Sequence, residues 1–331
     1  MRIRKPIHFL KALILPALFY VVFSILSKGR MANMGTFLSI LQQSVYPAII
    51  AFAIYSTVEM GLWDLTPGAI IIGAAVIGGN FASRQGWGMA GMILCIAVLC
   101  IIMTLLNCTV QIVTQIPSMI VSCGMVMIYE SISAVLFQGS FSAPREWTLF
   151  SRSPYCYIIL AGCFVLMYLV IYRSKFGYQV RALGYGKNVA VNVGIDVKRT
   201  LVKAYLLEGI LLTCASLIYM AMNGSASAAM NLSTTTIGFN AIVSVLVGQY
   251  LAVYCGPLFG IAIGAFTLRI LSSGLLALGL AATWQKVANG IFLILFLGFS
   301  QNQKLLAEAR MRKKKVKEIM ARIKEREKNA C

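Results

Sequence analysis

The segment Arg173-Ser-Lys-Phe-Gly-Tyr-Gln-Val-Arg-Ala-Leu-Gly-Tyr-Gly-Lys-Asn-Val-Ala-Val-Asn-Val-Gly-Ile-Asp-Val-Lys-Arg-Thr200 separates two strongly apolar blocks, one ending near Tyr172 and the next resuming near Leu201. It carries Arg173, Lys175, Arg181, Lys187, Lys198 and Arg199 against one acid, Asp196. Basic loops of membrane proteins stay on the cytoplasmic side. The segment therefore predicts a polytopic protein with this loop inside the cell.

Composition agrees with that reading. The chain has 331 residues, of which 59% are hydrophobic and only 12% charged, more apolar surface than a soluble core of ordinary composition can hide. The formal net charge of +19 is local, because 11 of the 29 basic residues follow Gln303. Such a tail suits a membrane surface, and membrane lipid is the expected neighbour. Nucleic acid is not. The nine cysteines are scattered through apolar runs with no CxxC and no pairing with the single His8, so no metal site is expected.

Working outward from the loop, ten spans are expected at roughly 7–26, 44–60, 67–83, 88–107, 118–138, 156–172, 202–222, 238–254, 257–279 and 284–299, each near the length that crosses a bilayer. The fold class is an all-α, polytopic helical bundle. Counting from an inside N-terminus, six crossings bring the chain back to the cytoplasm at Arg173, and ten put the C-terminus there too. The expected organisation is a transmembrane domain over 1–301, containing the loop 173–200, and a basic cytoplasmic tail over 302–331. Two short breaks, Gly61-Leu-Trp-Asp-Leu-Thr-Pro-Gly68 and Val253-Tyr-Cys-Gly-Pro257, read equally as broken helices or as tight hairpins.

Ionisable groups inside spans are expensive and ask for an interior partner or a wet cavity. Asp64 flanks the second break, Glu130 sits in the fifth span and Glu208 in the seventh. With the neutral Asn240 and Gln249 they are the candidate residues of a polar pathway, and interhelical bonding is the competing use of each. Arg269 is expected to snorkel to the outer headgroups. No Walker-type phosphate loop, HExxH or GxSxG is present, so enzyme chemistry and a resident cofactor are not expected.

Three stretches, taken in order, resemble the permease subunits of bacterial ribose/xylose/galactose-type ABC importers, with their autoinducer and nucleoside relatives. Gly61-Leu-Trp-Asp-Leu-Thr-Pro-Gly68 is similar to that family's Gly-Ile-Asp-Leu-Ser-Val-Gly, with Asp64 and Leu65 in register. Ala182-Leu-Gly-Tyr-Gly-Lys-Asn-Val-Ala-Val-Asn-Val-Gly-Ile195 matches its mid-chain motif without gaps at Ala182, Leu183, Gly184, Ala190, Gly194 and Ile195. Lys187 and Asn188 stand where the family has an acidic pair. Leu271-Ser-Ser-Gly-Leu-Leu-Ala-Leu-Gly279 resembles a third stretch.

The resemblance implies an importer subunit for a small polar solute such as a monosaccharide. It also implies that Arg181 to Gly184, Ala190, Gly194 and Ile195 belong to an element coupling the bundle to a separate cytoplasmic ABC ATPase. ATP and Mg would then be bound by that ATPase. An extracellular sugar-binding protein and a second permease chain, the same or different, complete the expected assembly. An ion-coupled secondary carrier, with Glu130 and Glu208 as a proton relay, is the alternative.

Overall fold

A computed structural model describes residues 6–281 and, in part, 283–298, with side chains from residue 11 onward except at 145 and 148. The basic tail 302–331 lies outside the described residues, and the expected span 284–299 is only partly described. Residues 6–281 lie in one compact unit.

That unit is an α-helical bundle in this order: α1 (Pro6–Leu26), α2 (Met34–Gln43), α3 (Val45–Glu59), α4 (Pro67–Arg84), α5 (Gly88–Thr114), α6 (Ser118–Val135), α7 (Tyr155–Tyr168), α8 (Lys175–Gly184), α9 (Lys187–Asn192), α10 (Val197–Asn223), α11 (Thr235–Cys255) and α12 (Pro257–Ala277). Helix starts follow local chemistry. Asn33, Ser174 and Asp196 each accept a backbone N–H in the first turn of α2, α8 and α10, and Pro67 and Pro257 open α4 and α12 where their missing N–H costs nothing. The expected span 44–60 is α3, and α2, which was not expected, leads into it through Ser44.

Seven helical stretches among the described residues are long and apolar enough to cross a membrane: 34–59, 88–114, 118–139, 155–173, 197–223, 235–255 and 257–277. Lys11–Leu26 is a shorter apolar helix. α4 falls short because it is rich in Gly and Ala and ends in Asn80 and Arg84. The reason is positional. α4 is enclosed by α5, α6, α10 and α11, so other helices and not lipid set the composition of its surface. α5 shows the opposite pattern, exposing Leu94, Val98, Ile102 and Leu106 at every fourth position while Met92, Ile96, Cys100 and Met103 are buried. An outward apolar stripe of this kind is a face made for hydrocarbon.

The two breaks resolve differently. Val253–Pro257 is a tight hairpin, with Gly256 at φ 85° and α11 laid along α12. The contact is backbone to backbone: a Cβ at Gly248 would fall 2.5 Å from the Ile261 nitrogen, and one at Gly264 would fall 2.6 Å from the Ser244 carbonyl oxygen. Residues 61–66 instead carry the chain from α3 to the start of α4 deep in the bundle, where Asp64, Leu65 and Thr66 are buried. There α4 and α11 begin side by side. A Cβ at Gly68 would lie 2.2 Å from the Thr234 carbonyl oxygen, and one at Gly238 would lie 2.9 Å from that of Leu65.

At the end of the bundle away from α8 and α9, a two-stranded antiparallel ribbon pairs β1 (Ser140–Ser142) with β2 (Ser225–Ser227), Phe141 opposite Ala226. It ties the connection after α6 to the connection after α10.

Candidate functional site

The mid-chain segment is two helices at one end of the bundle. Ser174 accepts the Phe176 N–H at 3.2 Å and starts α8 at Lys175. Gly177 permits this, because a Cβ there would lie 1.8 Å from the Ile171 carbonyl oxygen. Gly186, at φ 129°, separates α8 from the single helical stretch α9, and Gly194, at φ 78°, follows its end.

The matched residues divide by environment. Arg181 donates to the Ile171 carbonyl oxygen at 3.0 Å and stacks over Tyr172 and Tyr178. Leu183 and Ala190 are buried, while Ala182 and Ile195 are half-buried. Gly184 lies over the end of α3, where a Cβ would meet the Glu59 carbonyl oxygen at 2.4 Å. These residues seat α8 and α9 on the bundle. The outward side is different: Tyr185 is 84% exposed and Val193 72%, with Val189, Val191, Lys187 and Asn188 also exposed.

Beneath Gly184 is a cleft of about 500 Å³, lined in part by Tyr55, Glu59, Arg181, Tyr185, Gln249 and Pro257. Across it Gln249 on α11 donates from Nε2 to Glu59 Oε2 at 2.9 Å, a bond between residues 190 apart in sequence. Gln249 thus joins the α3 end under Gly184 to the α11–α12 hairpin.

The carboxylates expected along a pathway are packed into the protein. Glu130 accepts the Leu232 and Thr234 N–H groups at 2.9 Å each and the Thr234 hydroxyl at 2.7 Å, at the start of α11. Asp64 treats the start of α4 in the same way, accepting the Thr66 N–H at 2.8 Å and its hydroxyl at 2.7 Å, while Asn107 donates to its second oxygen at 2.7 Å. Each acid complements the positive end of a helix dipole. Glu208 is fully buried on α10. Asn240, half-buried on α11, lies one turn before Ser244, whose hydroxyl donates to its carbonyl oxygen at 2.8 Å.

At the far end, Arg269 on α12 donates to Gln43 in a polar pocket of about 390 Å³ that also includes Gln42, Tyr46, Ser151 and Asn223. The expected snorkelling Arg is therefore held by a neutral amide inside the protein.

Against this geometry the comparisons are decisive. The family described as branched-chain amino acid transport system / permease component matches residues 36–297. The chain belongs to that family. It is a multi-pass inner-membrane permease component and not an enzyme. The permease is similar to the fructose import permease protein FrcC of Rhizobium meliloti, 24% identical over 323 residues covering 90% of this chain and 88% of that protein. It is also similar to the autoinducer 2 import system permease protein LsrD of Escherichia coli (strain SMS-3-5 / SECEC), at 24% over 279 residues covering 80% and 83%. The xylose transport system permease protein XylH of Haemophilus influenzae is 29% identical over 153 residues, 46% of this permease and 40% of that protein. No solved structure matches.

Glu59 is the acid that ends α3. Its bond to Gln249 had no sequence signal, since nothing periodic links residues on α3 and α11. Thr234 and Asn107 were missed as partners for the same reason.

Proposed function

We propose that this permease is the membrane subunit of an ABC importer that carries a monosaccharide or a similar uncharged polyhydroxylated solute into the cell. The termini and the α8–α9 end face the cytoplasm, and ten crossings are completed by α1, α4 and 284–299. The carrying observation is the seat of Gly184 on the Glu59 carbonyl, beside the Glu59–Gln249 bond. A push on α8 has no side chain to absorb it and passes directly to α3 and α11.

In this reading a cytoplasmic ATPase docks on Tyr185, Val189, Val191 and Val193, and it alone binds ATP and Mg. Its closure shifts the equilibrium between inward-open and outward-open states. Asn240 and Gln249 line the path on α11, while Asp64, Glu130 and Glu208 hold the helices around it. A sugar-binding protein docks at the ribbon end, and a second permease chain completes the pair. The kinship to fructose, xylose and autoinducer-2 permeases supports the cargo class.

The test is reconstitution in liposomes with the cognate ATPase and binding protein. Uptake that needs ATP and both partners is expected. Uptake by this chain alone, driven by a pH gradient, would replace the importer with the ion-coupled carrier.

A further inference from the structure

Glu208 is 0% exposed, and neither of its carboxyl oxygens has a hydrogen-bond partner. Asn107, 1% exposed on the neighbouring α5, is left with an unpartnered Oδ1 because its Nδ2 is committed to Asp64 Oδ2 at 2.7 Å and Thr66 Oγ1 at 3.2 Å. The two helices touch at this level: a Cβ on Gly209, the residue after Glu208, would lie 2.6 Å from Thr104 Oγ1, one turn before Asn107 and Cys108. One turn before Glu208, the Tyr205 hydroxyl donates to Gln111 Oε1 at 2.5 Å.

Asp64, itself 1% exposed, is tied to this level of α5 by the Asn107 bond, so α5 and α10 hold two buried acids in one layer. The ion pair found among the described residues, Arg199–Asp196, is elsewhere, so no basic side chain neutralises the cluster there. Two like charges with a full set of donors for only one of them do not persist in a dry interior. Asp64 has those donors. Glu208 and Asn107 Oδ1 share the same need, a hydrogen to place between acceptors.

We propose that Glu208 binds a resident proton and, as a neutral carboxylic acid, donates it to Asn107 Oδ1. One proton then answers both orphaned groups. The Asn107 amide, accepting at its oxygen and donating from its nitrogen to Asp64, passes the polarisation to the carboxylate that starts α4. A metal cation fits less well, since hard cations gather about six or more oxygens and only three acceptors are unspent here. The site is a proton store that locks α5, α10 and the 61–66 segment together, and it is separate from the ATPase-facing end.

The measurement is infrared spectroscopy of the purified full chain, uniformly labelled with ¹³C-glutamate. A label-sensitive carboxylic acid C=O band is expected at neutral pH. It persists in Glu130→Gln, disappears in Glu208→Gln and moves in Asn107→Leu. Thermal unfolding should place Glu208→Gln within a few degrees of wild type, because the amide N–H takes the place of the acid O–H as donor to Asn107 Oδ1, with Glu208→Ala well below both. A wild-type spectrum without such a band overturns the proposal whatever the variants do. So does a stabilisation by sodium chloride over choline chloride that Glu208→Gln abolishes, which would make the site a cation site.

Discussion

Thr234 gives both its backbone N–H and its hydroxyl to one oxygen of Glu130, at 2.9 and 2.7 Å, across 104 residues of chain. The second oxygen takes the Leu232 N–H. Asn231 and Leu232 both have positive φ, 61° and 58°, conformations that L-residues occupy only when held there. Glu130 is therefore the restraint that keeps the 224–234 connection folded into the bundle.

Removing that restraint should be costly. Glu130→Ala abolishes three bonds to a charged acceptor, each worth about 1.5–3 kcal/mol, so a loss of about 3 kcal/mol or more is expected. Thermal unfolding in detergent checks the size, and faster proteolysis within 224–234 checks the place. Glu130→Gln, which keeps one carbonyl acceptor, should fall between the two. An Ala variant as stable and protease-resistant as wild type would remove Glu130 from this role.

The exposed side of α9 should act without touching stability. Val191 is 54% exposed and Val193 72% exposed, so Val191→Asp with Val193→Asp should leave unfolding of the isolated chain unchanged within about 0.5 kcal/mol. Co-purification of the ATPase should be lost. Retained ATPase binding would move the contact elsewhere.

Gly184 tests the transmission step. A side chain there meets the Glu59 carbonyl 2.4 Å from Cβ, so Gly184→Trp must lift α8 from α3. Substrate-stimulated ATP hydrolysis by the assembled complex should disappear while basal hydrolysis persists. Gln249→Leu, which cuts the bond to Glu59, should lower stimulation by at least about fivefold, the low end of ordinary coupling energies. Full stimulation in a folded Gly184→Trp complex would rule out this route.

The α11–α12 hairpin allows no extra volume. Gly248→Leu drives a branched side chain into the Ile261 backbone, 2.5 Å from Cβ, and overpacking of this kind costs about 1–3 kcal/mol. Fluorescence-detected size-exclusion should show a reduced monodisperse peak and a lower unfolding temperature. A wild-type profile would mean that the helices can separate freely.

Much of this architecture was legible in apolar run length. The expected stretches 202–222 and 257–279 are α10 and α12 to within a few residues, because a helix in lipid must be continuously apolar. Gly194 was readable as a stop, since few other residues suit φ 78°. The start of α8 was not, because Phe176-Gly-Tyr looks like a turn until Ile171 packs against Gly177. The acids carried the least information. A lone carboxylate in an apolar run signals a partner or a pathway equally, and the partners here, Thr234 for Glu130 and Asn107 for Asp64, are distant in sequence.

The side-by-side start of α4 and α11 has an electrical side. Two helix dipoles bring their positive ends to the middle of the bundle, and each meets a carboxylate there, Asp64 on one and Glu130 on the other. Each helix end carries about half a unit of positive charge, so it offsets only part of its carboxylate, and the layer keeps a negative potential. In a low-dielectric interior that residual charge is felt beyond the helix ends, so an anion entering this layer would be disfavoured.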